Sequence, residues 1–160
     1  MGADDEPGEV MAKHTDGSHD QTRILQMIDA RNDAIRAGDA ARALAPLAAD
    51  ATTYELQPPL AYHGAAARDR KGLEAWFETW DGPVAIEMPD PTISVDGDLA
   101  FAYGLCRMRG KKKGEGHVEL WYRTTLCLER RRGEWKVVHE HSSVPFRMDG
   151  SEKAALDLRP

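Results

Sequence analysis

Two histidines, His139 and His141, stand two residues apart in the run Trp135-Lys136-Val137-Val138-His139-Glu140-His141-Ser142-Ser143-Val144. Strand alternation sends residues two apart to one face. Both imidazoles are therefore expected beside Trp135, Val137 and Ser143, with Lys136 and Glu140 on the opposite face. Imidazole changes charge near neutral pH, which makes it a natural general acid or base; a hydrogen-bonded pair that braces the core is the competing reading. Arg123 shares a strand face with Trp121, Thr125 and Cys127. Its guanidinium offers a bidentate, charge-assisted grip on a carboxylate or enolate, or else a salt bridge to Glu55 or Glu119. Arg31 interrupts an apolar helical stripe. An unpaired buried charge is too costly to keep, so Arg31 must meet an acid, a ligand or water. Glu55 is the first candidate partner, and that pairing would lower its pKa and weaken it as a base. Tyr54, Trp76, Trp80, Tyr103 and Trp121 supply an aromatic surface. It serves either as core or as the lining of an apolar pocket with a few convergent polar groups. His-x-His on a strand, with Glu55 or His63 as a third ligand, is a known metal spacing, but the spacing alone is a weak signal and no metal is expected.

These residues must be positioned by elements that the hydrophobic periods define. Residues 1–19 carry almost no apolar side chains and are expected to form a disordered leader, with His14 and His19 outside the chemistry. Gln21 to Ala37 reads as a helix with Ile24, Leu25, Ile28, Arg31 and Ile35 on one stripe. Gly38 stops it and Asp39 caps a second helix running to about Ala49, which Pro46 should bend or end. Thr52 to Leu56 is strand-like, and Pro58-Pro59 ends it. A third helix over about Lys71 to Trp80 carries Leu73, Trp76, Phe77 and Trp80 at spacings of i, i+3, i+4 and i+7. The period then falls to two. Strands are expected at Val84–Val95, Leu99–Met108, His117–Glu129 and Trp135–Val144, joined by short turns as an antiparallel meander. Helices followed by strands imply an α+β layer fold in one domain, residues 20–160, with helices on one face of a curved sheet.

Composition narrows the function. A net charge of −6 over 160 residues argues against a nucleic-acid partner, because phosphate binding needs a basic surface. The basic runs Lys111–Lys113 and Arg130–Arg132 flank glycines and read as solvated hairpin tips. No apolar run approaches the roughly 20 residues of a membrane helix, and the acidic start is no signal peptide. Cys106 and Cys127 lie in separate apolar runs and are expected as free thiols in the cytoplasm. Phosphate-loop, dinucleotide and nucleophile-elbow motifs are missing, so no cofactor is expected.

The element order, with Ala37-Gly38-Asp39 leading to Leu47-Ala48-Ala49-Asp50-Ala51-Thr52, then Trp121-Tyr122-Arg123-Thr124-Thr125 and the Trp135 to Phe146 segment, resembles the NTF2-like superfamily. That superfamily includes ketosteroid isomerase and SnoaL-like polyketide cyclases, and the ending is similar to a bacterial SnoaL-like subgroup. The resemblance covers roughly residues 20–160. It implies a cone-shaped, cystatin-like α+β fold, a small-molecule pocket and a homodimer. It also implies, for the isomerase mechanism, a carboxylate base at Glu55. The tyrosine donor position is taken by Arg31, and the second acid position falls near Thr125 or Leu126, neither an acid. Steroid isomerisation by that mechanism is therefore not expected. What remains is a cofactor-free isomerase, cyclase or dehydratase acting on a small carbonyl or polyketide-like compound, with His139, His141, Arg123 and Glu55 as catalytic candidates. Arg31, Tyr54, Trp76, Trp80, Tyr103 and Trp121 would contact the ligand. The alternative is a non-catalytic ligand-binding or dimerisation module.

Overall fold

The computed structural model describes residues 8–160, with side chains from residue 17 onward; the first part of the expected leader lies outside them. Helix α1 spans Gly8–Arg36, so it starts well before the expected Gln21. Ile24, Ile28 and Ile35 are its buried stripe, while Leu25 is exposed rather than inward. Gly38 closes the helix at φ 70°, a left-handed conformation open to glycine at no steric cost. The amide of Gly38 donates to the Ile35 carbonyl and that of Asp39 to Ala34. The Asp39 carboxylate then accepts from the Arg42 amide at 3.0 Å and caps α2, Ala40–Leu44. Pro46 has no amide proton for a further helical turn, and the chain goes directly into strand β1, Leu47–Tyr54. The helix is shorter and the strand earlier than the periodicity suggests.

Strand β2 is Tyr62–His63, α3 is Arg70–Phe77, and β3 to β7 are Ala85–Glu87, Thr92–Asp96, Leu99–Lys112, Gly116–Arg131 and Glu134–Ser143. The single strand expected over 84–95 is divided into β3 and β4, because Pro89 and Pro91 remove ladder donors between them. The sheet runs β2-β1-β7-β6-β5-β3, with β4 also on β5. The meander is antiparallel as expected, but β1 joins β7 in parallel.

The helices cover one face. Ile24 and Ile28 pack on Ala100, Ala102, Cys106, Leu126, Leu128, Trp135 and Val137. Trp80, Val84, Ala34, Ile35 and Ala43 form a second cluster, with Leu73, Trp76 and Phe77 against it. Burying each of the larger side chains, such as Ile24, Val84, Leu128 and Val137, contributes about 1.5–3 kcal/mol. On β6 the inward set is Tyr122, Thr124, Leu126 and Leu128, and Arg123 and Thr125 face out. The other face of the sheet is open: Leu99, Phe101, Tyr103 and Leu105 of β5 are all exposed, and Phe101 stacks on Tyr103.

One irregularity decides what faces where on β7. Leu128 pairs with Val137, yet the preceding Cys127 pairs with His139. Val138 is therefore an extra residue, a bulge that reverses the alternation. Trp135 and Val137 point to the helices before it; Glu140 and Ser142 do so after it. The expectation that His139 and His141 share a face with Trp135 and Val137 is corrected by this single residue.

Neither basic run is a bare solvated tip. Arg130 binds Asp20 and Asp98, and Arg131 binds Asp50 and Glu129. Lys112 lies 4.6 Å from the Trp80 ring centroid and donates to the Thr79 hydroxyl at 2.6 Å. Lys111 pairs with Asp81.

Candidate functional site

A cavity of about 410 Å³ opens between α1, α2, α3 and the inner face of the sheet. Its apolar wall includes Ile35, Leu44, Leu47, Leu73, Trp76 and Ile86, and its polar residues are Arg31, Thr53, Glu55, Gln57, Tyr62, Asp69, Tyr122, Glu140 and Ser142. The volume suits a small organic molecule. A smaller recess of about 60 Å³ continues inward past Arg31, Tyr122 and Glu140 toward Cys106.

The polar side is built by register. Thr53 of β1 lies opposite Glu140 of β7, and Thr124 of β6 opposite Ser142. All four face the helices. The Thr124 and Ser142 hydroxyls hydrogen-bond each other at 2.9 Å. From α1, Arg31 reaches Glu140, with Nη1 2.8 Å from Oε2. The contact is a close ion pair without good hydrogen-bond angles. Arg31 Nε, Glu140 Oε2 and Thr53 Oγ1 are buried with no hydrogen-bond partner among the described residues. The expected partner of Arg31 was Glu55; it is Glu140, because the bulge turns Glu140 inward.

Glu55 stands just beyond β1, at the cavity mouth. Water reaches it through the opening, yet protein crowds it on the other sides. That desolvation, followed by repulsion from Glu140, raises its pKa above the ordinary 4.5; the Thr53 hydroxyl and Arg31 only moderate the rise. The predicted lowering by Arg31 is thus outweighed. Thr53 lies close enough to exert this influence without reaching hydrogen-bond geometry. Burial also pushes the Tyr122 phenol well above its usual range, so it remains a neutral donor. The Cys106 thiol is pushed up to about 11 by burial, which keeps it an inert thiol rather than a nucleophile.

Of the residues singled out in the sequence, Arg31, Glu55 and Trp76 line this cavity. Trp80 is buried behind Trp76, their ring centroids 5.5 Å apart. Arg123, His139, His141, Tyr54, Tyr103 and Trp121 lie on the outer face. There the Tyr54 ring makes edge contacts with His139 and His141 at 4.8 and 5.4 Å. His139 Nδ1 is 2.8 Å from the Thr52 carbonyl oxygen, and His63 Nδ1 is 3.0 Å from the Thr52 hydroxyl. Among the described residues no group of three or more His, Cys, Asp or Glu side chains is placed to hold a metal ion. Glu140, Tyr122, Thr53 and Ser142 belong to the cavity but were not singled out. Alternation groups Tyr122 with Leu126 and Leu128 but leaves open which face of β6 is inward, since both faces are apolar; Glu140 carries no sequence signal, because the bulge that turns it inward has none.

The model of the SnoaL-like domain matches residues 24–147. An NTF2-like protein of unknown function from Pseudomonas putida is 31% identical, with 89% of this chain and 98% of that chain covered and a TM-score of 0.78. Two more distant structures show the same fold. A ketosteroid isomerase-like protein from Erwinia carotovora atroseptica is 19% identical, covering 76% and 93% of the two chains, with a TM-score of 0.62. A protein with a cystatin-like fold from Nostoc punctiforme is 14% identical, covering 79% and 91%, with a TM-score of 0.63. No curated protein matches the chain. No helix of the described residues is long and apolar enough to cross a membrane.

Proposed function

The chain belongs to the SnoaL-like family of the NTF2-like superfamily, and from that premise we propose that it is a cofactor-free enzyme acting on a small carbonyl compound bound in the helix-covered cavity. The observation that carries this reading is Glu55: a carboxyl raised by its surroundings, at the mouth of an apolar cavity that also holds the Tyr122 and Thr53 hydroxyls. A raised carboxyl pKa narrows the gap to neutral pH and favours proton transfer in both directions. Glu55 would take a proton from the carbon next to the carbonyl and return it elsewhere, the step shared by isomerisation, cyclisation and dehydration. A hydroxyl of Tyr122 or Thr53 would hydrogen-bond the carbonyl oxygen as negative charge develops there. His139 and His141 face away from this cavity, so the acid–base role passes to Glu55 and the histidines serve the outer face.

That outer face supports a second assignment, a homodimer. Four large apolar side chains of β5 stand exposed beside Trp121 and Tyr54, and a contiguous apolar patch of this kind marks an interaction surface. The unpaired thiols Cys106 and Cys127 favour a cytoplasmic setting.

The test of the catalytic reading is solvent deuterium exchange into 4-phenyl-2-butanone, followed by NMR. The wild type is expected to accelerate exchange next to the carbonyl, and Glu55→Gln to lose about a hundredfold or more of that acceleration. Equal rates in the two proteins would refute the role of Glu55.

A further inference from the structure

Arg31 is the sole cation lining the cavity among the described residues, and it shares the walls with three carboxylates, Glu55, Asp69 and Glu140. In an apolar pocket a guanidinium is the group that would capture a carboxylate or phosphate. Here its charge is already matched by Glu140 at 2.8 Å. The remaining carboxylates repel any further anion, and in a partly desolvated site that repulsion is strong. The hydrogen-bonding capacity left over is that of uncharged recognition. Thr53, only 1% exposed, has an unpartnered hydroxyl, and Arg31 retains an unpartnered Nε–H. Both are donors that a carbonyl or hydroxyl oxygen would satisfy once the side chains covering them move aside.

We propose that Glu140 is a specificity-determining residue: by occupying Arg31 it closes the cavity to anionic ligands and reserves it for uncharged carbonyl or hydroxyl compounds with an apolar body. The assignment rests on the reading of this cavity as the ligand site. It does not require Glu55 to be catalytic. Glu140→Gln removes the matching charge while keeping the side-chain shape, so the same pocket becomes a receptor for carboxylates through Arg31.

Binding of two nearly isosteric probes, 4-phenyl-2-butanone and 3-phenylpropanoate, by calorimetry at neutral pH tests this. The wild type is expected to bind the ketone about tenfold or more tightly than the carboxylate. Glu140→Gln should gain about tenfold or more for the carboxylate, and Arg31→Leu/Glu140→Leu should show no such gain. The wild-type comparison stands by itself if Glu140→Gln does not fold. Carboxylate binding to the wild type as tightly as the ketone would overturn the inference while leaving the cavity as a ligand site. Binding of neither probe would overturn both.

Discussion

Replacing Asp20 by alanine removes the acceptor that ties α1 to the far end of the sheet. Arg130 donates to both carboxylate oxygens, at 2.9 and 2.6 Å, and the Trp135 indole N–H donates at 3.1 Å. The Arg130 guanidinium also lies over the Trp135 ring at 4.6 Å. The carboxylate is covered by these two side chains yet lies at the periphery, so its lowered pKa comes first from the Arg130 hydrogen bonds and not from depth. A hydrogen bond to a charged group contributes about 1.5–3 kcal/mol. Arg130 keeps Asp98 as a partner and is partly open to water, which discounts the loss. The Trp135 N–H, by contrast, is left buried and unpaired. The net cost is about 2–4 kcal/mol, or about 5–15 °C in Tm for a chain of this size. Asp20→Asn should recover part of it, since the amide oxygen still accepts from Trp135. The sign with pH is fixed: a carboxyl lowered on folding stabilises above its unfolded value, near 3.8, and loses that contribution as pH falls through the folded value. Urea unfolding of the three proteins at pH 7 and pH 3 measures all of this. A loss below about 0.5 kcal/mol at pH 7, the range of an ordinary surface change, would refute the reasoning.

Glu55→Gln should act oppositely. Its carboxyl is raised on folding, so the ionised form costs stability above its unfolded value and the cost disappears in acid. The variant's Tm should exceed the wild type's at pH 7, and the two should converge as pH falls below about 4.5. Gly110→Ala would place a Cβ 2.9 Å from Cε3 of the buried Trp80; overpacking of this kind costs about 1–3 kcal/mol, read as a lower urea midpoint. For the proposed dimer, light scattering at micromolar concentration should give twice the chain mass, and Phe101→Lys should give the monomer. A monomeric wild type would remove that assignment.

Much of the architecture is legible because it follows from period and punctuation. Ile24, Ile28 and Ile35 mark a helix, Gly38-Asp39 marks its end and the next beginning, and alternation along Tyr122 to Leu128 marks a strand with two distinct faces, though both are apolar enough that the inward one is not singled out. The cavity is legible in part. Arg31 could be flagged because a charge on an apolar stripe demands a partner. Its partner could not be named, since pairing depends on the register of β7 and a bulge leaves no mark in composition. The roles of Asp20 and Arg130 were hidden for a related reason. Each looks like a surface charge in its own segment, and only a contact across 110 residues makes them structural.

The bulge at Val138 also decides which set of side chains the cavity of this chain receives. Deleting that one residue would leave these faces as they are, because His139 would then follow the inward Val137 directly. Pairing Val138 as an ordinary ladder residue, with nothing deleted, would instead rotate Glu140 and Ser142 to the outer surface and bring His139 and His141 into the chamber. An acidic wall would become an imidazole wall without any change in the alphabet of side chains. The strand thus holds two chambers' worth of functional groups on its two faces, and whether Val138 is looped out or paired selects which set meets the ligand.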